Sequence, residues 1–247
     1  MTKNFKLIIE YDGTCFSGWQ RQKTDRSVQG EIEKALRVMT GQKVVVNGSG
    51  RTDAGVHALG QVANFHCDTR LTAAVFLKGL NSLLFEDVVI KDCRQVPDAF
   101  HARFDVKNKR YRYRILNRSI PCALFRQYVW HIRKKLDTGA MRAAMAHIIG
   151  RHDFKAFEGS GSPRSSTTRT VMHAGLAETQ RDHLDFEIEA DGFLRYMVRN
   201  IVGTLVDVGL VKISPDDFKA VLRSRDRGRA GITAPPQGLF LVEVKYE

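Results

Sequence analysis

Residues 48–58 read Gly-Ser-Gly-Arg-Thr-Asp-Ala-Gly-Val-His-Ala and form the most unusual stretch of the 247-residue chain. Glycines on either side of Arg51-Thr52-Asp53 let the backbone bend sharply and let a ligand come close. An aspartate is an anion near neutral pH, and a neighbouring arginine favours that form, so Asp53 suits a nucleophile better than an acid. The segment lacks the Gly-Lys-Ser/Thr ending of a phosphate-binding P-loop. A metal site is the competing chemistry, because Asp53, His57, His66 and Asp68 lie close in sequence. No HExxH or comparable ligand spacing supports it, and no metal is expected. Cys15, Cys67, Cys93 and Cys122 are too widely spaced for a CxxC site, so neither zinc nor a dithiol redox centre is indicated.

Charge points to the partner. The chain carries 39 Lys and Arg against 27 Asp and Glu, and the excess is local. Residues 101–135 hold eleven basic side chains and one acid, Asp105. Such a patch is the footprint of contact with a phosphate backbone, where each cation displaces condensed counterions. Within it, Arg110-Tyr111-Arg112-Tyr113-Arg114 alternates. As a strand, this places Tyr111 and Tyr113 on one face and the arginines on the other. Tyr113 also reads as an ordinary core tyrosine.

The remaining elements supply a scaffold. Lys6–Tyr11 reads as a strand closed by Asp12-Gly13, Gln29–Met39 as a helix capped by Ser27, and Val44–Val46 as a strand. Strands are predicted over 61–66 and 87–96, with a helix over 72–84 between them. Beyond the Arg/Tyr strand come a helix over 137–150, a Gly/Ser-rich loop over 158–170, and two strand-like runs between 171 and 190. Helices over 193–209 and 214–222 and a strand over 238–246 complete the chain. The order is α/β or α+β, divided near residue 105 into halves 1–105 and 106–247, and the resemblance given below selects α+β. The 193–209 helix places Arg195, Arg199, Gly203 and Asp207 on a stripe opposite Leu194, Val198, Ile201, Val202 and Leu205. An arginine on such a helix calls for a carboxylate, and a local Arg–Asp pair on a solvated face is one way to meet that need. The stretch 193–213 is interrupted by Arg195, Arg199, Asn200 and Asp207, which argues against a membrane span. The N-terminus has no signal-peptide core, so a cytoplasmic protein with reduced thiols is expected.

Gly50–Ala58 closely resembles the signature of the TruA family of tRNA pseudouridine synthases. The similarity continues through Tyr11–Thr14, Gly18–Gln22, Ser27–Gln29, Phe100–Phe104, Lys109–Tyr113, Met197–Gly203 and Ala234–Leu239. Two departures stand out: Ser49 where the family has alanine, and a poorly matching loop over 158–166. The resemblance implies two similar ferredoxin-like α/β halves around a central, mainly antiparallel sheet with a basic cleft, in a homodimer. It implies isomerisation of uridine to pseudouridine at positions 38, 39 and 40 of the tRNA anticodon stem-loop, without cofactor or metal. Asp53 is then the nucleophile, Arg199 its partner, and Tyr111 the ring against the target uracil. Arg51 would help to flip the base, whose unstacking costs about a few kcal/mol. Phe100, His101, Ala102, Arg103 and Phe104 would contact RNA, as would the 161–165 loop with Arg164. Arg110 and Arg112 would meet phosphates. Whether the carboxylate attacks ribose carbon 1′ or the base ring stays open, as do a non-catalytic tRNA-binding module and a metal-dependent RNA hydrolase.

Overall fold

A computed structural model describes residues 2–161, 165–179 and 182–247. The chain forms two compact units, Met1–Lys107 with Phe240–Glu247, and Asn108–Leu239. Ten strands and five α-helices occur among the described residues, an α+β architecture whose ladders are mostly antiparallel.

The first unit runs β1 (Thr2–Tyr11), α1 (Val28–Thr40), β2 (Asn47–Gly48), β3 (His57–Asp68), α2 (Ala73–Leu83) and β4 (Val88–Val96). β1 lies between β3 and β4, antiparallel to both, and β2 pairs antiparallel with β3 at Asn64 and Ala63. The order β4-β1-β3-β2 with two crossover helices is the ferredoxin-like pattern. On the same side of β3, but at its other end, β10 (Leu239–Lys245) pairs in parallel, Phe240 opposite His57 and Leu241 opposite Ala58. Period-2 alternation on β1 sends Phe5, Leu7 and Ile9 into the core. Phe5 stacks on Phe65 and tilts against Phe76, with ring centroids 5.4 and 4.8 Å apart. Each such buried side chain contributes about 1.5–3 kcal/mol.

The second unit begins with β5 (Asn108–Asn117), β6 (Trp130–Ile132), α3 (Thr138–Met145) and β7 (Gly150–Asp153). It continues through β8 (Thr168–Thr179), β9 (His183–Ala190), α4 (Met197–Gly209) and α5 (Pro215–Ser224). β9 pairs antiparallel with β5 and β8, β7 joins the outer side of β8, and β6 runs parallel to the end of β5. The succession β5-α3-β8-β9-α4, with strand order β5-β9-β8, repeats that of β1-α1-β2-β3-α2, so the two units are similar. Phe154, Phe157, Phe186, Phe218 and the apolar side of α4 fill the core.

Among the departures from the sequence reading, three stand out. Val44–Val46 joins no ladder, and side chains of α1 take the backbone groups of Val46: its N donates to Glu33 Oε1 (3.1 Å), and Gln29 Nε2 donates to its O (3.0 Å). The 137–150 helix ends at Met145, a 3-10 turn follows over Ala146–Ile148, and Gly150 already belongs to β7. The 193–209 helix starts only at Met197, because Tyr196 is left-handed (φ 62°). Gln180 and Arg181, between the runs at 171–190, and Arg164 lie outside the described residues. No helix among the described residues is long and apolar enough to cross a membrane.

Candidate active site

Asp53 is half-buried in the bend between β2 and β3. The bend lies on the segment that follows β1. Trp19 N donates to Thr52 O (3.1 Å), Gly55 N to Phe16 O (3.3 Å), and Val56 N closes the turn onto Asp53 O (3.2 Å). The Tyr11 hydroxyl meets Thr52 Oγ1 at 2.7 Å, and burial pushes its ionisation far up, so it stays a neutral hydrogen-bonding group. At Gly18 (φ 93°) a Cβ would stand 2.5 Å from Thr52 O and 3.1 Å from the Asp53 carbonyl carbon. The backbone of the aspartate therefore rests on a position that only glycine fits. Ser49, the departure from the family pattern, is buried; its Oγ donates to Gln61 Oε1 (2.6 Å), and Gln61 Nε2 donates to Gly50 O (3.0 Å). Both ends of the bend are thus held by buried polar groups.

Arg51 is exposed, and its Nε donates to Gln20 Oε1 (2.9 Å). It forms no ion pair among the described residues. His57 Nδ1 lies 3.0 Å from both Gly13 N and Asp12 Oδ1, His66 Nε2 is 3.2 Å from Asp98, and no described group of three or more potential ligands is placed to hold a metal.

The 97–105 turn hangs on two buried asparagines. Asn4 Nδ2 donates to Phe100 O (2.8 Å) and Pro97 O (3.1 Å), while Asn64 Nδ2 donates to Asn4 Oδ1 (3.0 Å) and Phe100 O (3.3 Å). Ala102 is buried: its N–H donates to Asn64 Oδ1 (2.9 Å), and its carbonyl accepts from the Tyr246 hydroxyl (2.7 Å). The outward side of the turn is the opposite in character. Phe104 is 72% exposed, its ring 4.3 Å from that of His101 and 5.6 Å from the Arg103 guanidinium. Phe100 packs on Tyr246 at 5.1 Å, with the Lys6 ammonium 4.5 Å from the Tyr246 ring.

In the second unit β5 alternates as its sequence requires, with Tyr111 and Tyr113 buried and Arg110, Arg112 and Arg114 on the other face. Tyr111 meets Phe193 edge to face at 4.9 Å. Tyr113 is a core residue: it is fully buried, its hydroxyl donates to Pro235 O (2.7 Å), and burial pushes its ionisation far up. The arginines meet acids of β9 across the ladder, in the register Arg110–Glu189, Arg112–Glu187 and Arg114–Asp185. Arg112 Nε donates to Glu187 Oε1 at 2.8 Å, and Arg114 forks onto Asp185 at 2.9 and 3.0 Å. Part of the positive charge counted over 101–135 is therefore neutralised from within the protein.

Arg199 is half-buried near the start of α4, its Nε donating to Ala234 O (2.7 Å) and its guanidinium 5.0 Å from the Tyr196 ring. Arg195 precedes the helix and bonds Ser160 O (2.7 Å), and Asp207 pairs with Lys212 (2.8 Å). The polar stripe foreseen on this helix thus breaks into separate local contacts.

The bend with Asp53 and Arg51 and the 100–104 turn belong to the first unit; Tyr111, Arg110, Arg112 and Arg199 belong to the second. Sequence reasoning missed Tyr196, a tyrosine at positive φ flanked by two guanidinium groups, and the Asn4–Asn64 pair. The first has no sequence signal. The second left a faint one, an asparagine inside each of two otherwise apolar-alternating strands.

Residues 7–105 and 144–247 match the model of a family described as tRNA pseudouridine synthase. The chain is 48% identical to tRNA pseudouridine synthase A of Thermoanaerobacter sp. (strain X514) over 99% of its own length and all of the relative's. It is 49% identical, over the same shares, to the protein of that name from Acetivibrio thermocellus. A solved Cbf5-Nop10-Gar1 complex is similar at 13% identity and a TM-score of 0.38, over 82% of this chain and 45% of that one.

Proposed function

From the premise that this chain belongs to the tRNA pseudouridine synthase family, and so isomerises uridine to pseudouridine in tRNA, we propose that Asp53 is its nucleophile and the anticodon stem-loop its target. The reaction breaks the bond from uracil N1 to ribose carbon 1′ and forms one from carbon 5 to the same carbon. Carbon 5 loses a proton to solvent and N1 gains one, so atoms and electrons balance without an oxidant or a reductant. A base inside a stem is out of reach of a carboxylate and must first leave the stack. Exposed Arg51, held toward Gln20, fills the vacated place. Tyr111 gives the flipped uracil an aromatic face, a contact worth on the order of 1–3 kcal/mol. Arg199 pairs with the Asp53 carboxylate and fixes its orientation.

The His101–Arg103–Phe104 ledge, with Phe100 and Ala102 behind it, meets the RNA, and so do Arg110, Arg112 and the loop bearing Arg164. The enzyme acts as a homodimer in the cytoplasm on positions 38, 39 and 40, without metal. The observation that carries the reading is the bend itself: a half-buried carboxylate, clamped at both ends, inside the segment that matches the family. Incubating purified protein with unmodified tRNA and mapping pseudouridine chemically tests it. Product confined to positions 38–40 and undiminished by a chelator is expected; product elsewhere in the tRNA, or loss of turnover in chelator, contradicts it.

A further inference from the structure

Residues 226–235 lie along α4 as a strap, and one arginine gathers it. Arg227 Nη1 donates to Ala230 O (3.2 Å) and Gly231 O (3.0 Å), and its Nη2 to Asn200 Oδ1 and Thr233 Oγ1, both at 3.1 Å. Every one of these acceptors is neutral, and Arg227 has no acidic partner among the described residues. Its ionisation is lowered by burial alone. A half-buried guanidinium bonded only to neutral oxygens serves geometry, because its planar fork fixes several of them at once.

The helix side of the contact is built to match. Asn200 and Thr204 are fully buried, one turn apart on the face that meets the strap. Thr233 Oγ1 donates to Asn200 Oδ1 (2.7 Å), Asn200 Nδ2 to Phe157 O (2.8 Å), and Gly231 N to Thr204 Oγ1 (2.9 Å). At Gly203 a Cβ would stand 1.8 Å from Ile232 O, so the strap lies where no larger side chain fits. The strap ends on the residue of interest: Ala234 N donates to Arg199 O (3.1 Å), and Arg199 Nε donates back to Ala234 O (2.7 Å). Arg199 is thereby tied to the strap through both backbone and side chain. Its guanidinium also lies 5.0 Å from the Tyr196 ring.

We propose that Arg227, with Asn200 and Thr233, is a positioning residue that sets the direction of the Arg199 guanidinium through the 230–234 strap. The inference rests on the reading of Arg199 as the partner of the catalytic carboxylate. Without Arg227 the carbonyls of Ala230 and Gly231 lose their donor and the strap loosens, so Ala234 no longer holds Arg199 in one orientation. A guanidinium misdirected by about 1 Å costs on the order of 100-fold in turnover while leaving substrate affinity little changed.

The test is a double-variant cycle with Arg227→Ala and Arg199→Lys, measured as kcat and KM on tRNA, with Thr233→Val as a milder cut of the same strap. Arg227→Ala is expected to lower kcat by roughly 10- to 100-fold at a KM within about twofold. Arg227→Lys should recover part of the loss, and Thr233→Val should show a smaller fall of the same kind. In the double variant the Arg227→Ala effect should vanish, because Arg199 is no longer there to be aimed. Independent, multiplying losses from the two changes would overturn the positioning role and leave the reading of Arg199 intact. Full activity in Arg199→Lys and Arg199→Ala would overturn that reading, and the positioning role with it.

Discussion

Replacing Gly18 by alanine probes how the Asp53 bend is held without touching the carboxylate. Residue 18 sits at φ 93°, where an L side chain costs about 1–2 kcal/mol in local strain. The new Cβ would lie 2.5 Å from Thr52 O, and ordinary contact begins at 3.4 Å, so the carbonyl must retreat by about 0.9 Å. That retreat strains the Trp19 N to Thr52 O hydrogen bond and carries along the Asp53 carbonyl carbon, itself 3.1 Å from the new atom. Crowding of this kind adds roughly 1–3 kcal/mol. A domain of this size loses about 2–4 °C of Tm per kcal/mol, so Gly18→Ala should melt about 4–20 °C lower. Displacing a reacting group by about 1 Å should also cut kcat on the order of 100-fold. The assay is release of tritium from tRNA labelled at uridine carbon 5, run well below the melting transition and beside a filter-binding measurement. A variant that melts lower, binds tRNA normally and turns over slowly bears out the reasoning. A variant that melts lower yet keeps full kcat refutes the claim that this contact sets the position of Asp53.

Further outcomes follow from the charges. Arg103 is exposed without an ion pair among the described residues, so Arg103→Ala should reduce the slope of log binding constant against log salt by about 0.7–0.9. Arg112→Ala should reduce it by less than half as much, because Glu187 already takes that charge; equal changes would contradict the cross-strand pairing. Arg114→Ala strips Asp185 of a two-pronged donor and should cost about 1–3 kcal/mol by chemical denaturation, whereas Arg118→Ala, which loses only bonds to nearby carbonyls, should cost far less. Asp217 closes the capping box of α5, and hydrogen bonds from Ser214 hold its carboxyl below the ordinary aspartate range. A depressed folded-state pKa gives stability that is complete above the unfolded value and fades as pH falls through the folded one. The Tm gap between the protein and Asp217→Asn should therefore be constant near neutrality and close below about pH 4; a gap that widens in acid would reverse the assignment.

What the sequence made legible is local. The start of α5 at Ser214-Pro215, the alternation of β5 and the glycine-flanked bend each advertise themselves within a few residues, since periodicity and turn chemistry act at short range. What it hid is long-range. Glu187 answers Arg112 from 75 positions away, so a charge count over 101–135 overstates the field a partner would meet. Val44–Val46 has the composition of a strand, but Val46 gives its backbone bonds to the side chains of Gln29 and Glu33, 17 and 13 positions earlier. β3 runs back to His57 because Phe240 pairs there, 183 residues later in the chain. The bend shows its glycines in sequence, while the support at Gly18 and the strap that holds Arg199 emerge only with the chain folded.

The most direct test is Asp53→Asn, which keeps the shape of the side chain and removes its charge. Binding of tRNA by this variant should stay within about twofold of the unaltered protein, while chemical mapping finds no pseudouridine after a long incubation. Pseudouridine formed at a normal rate by Asp53→Asn would contradict the account at its centre.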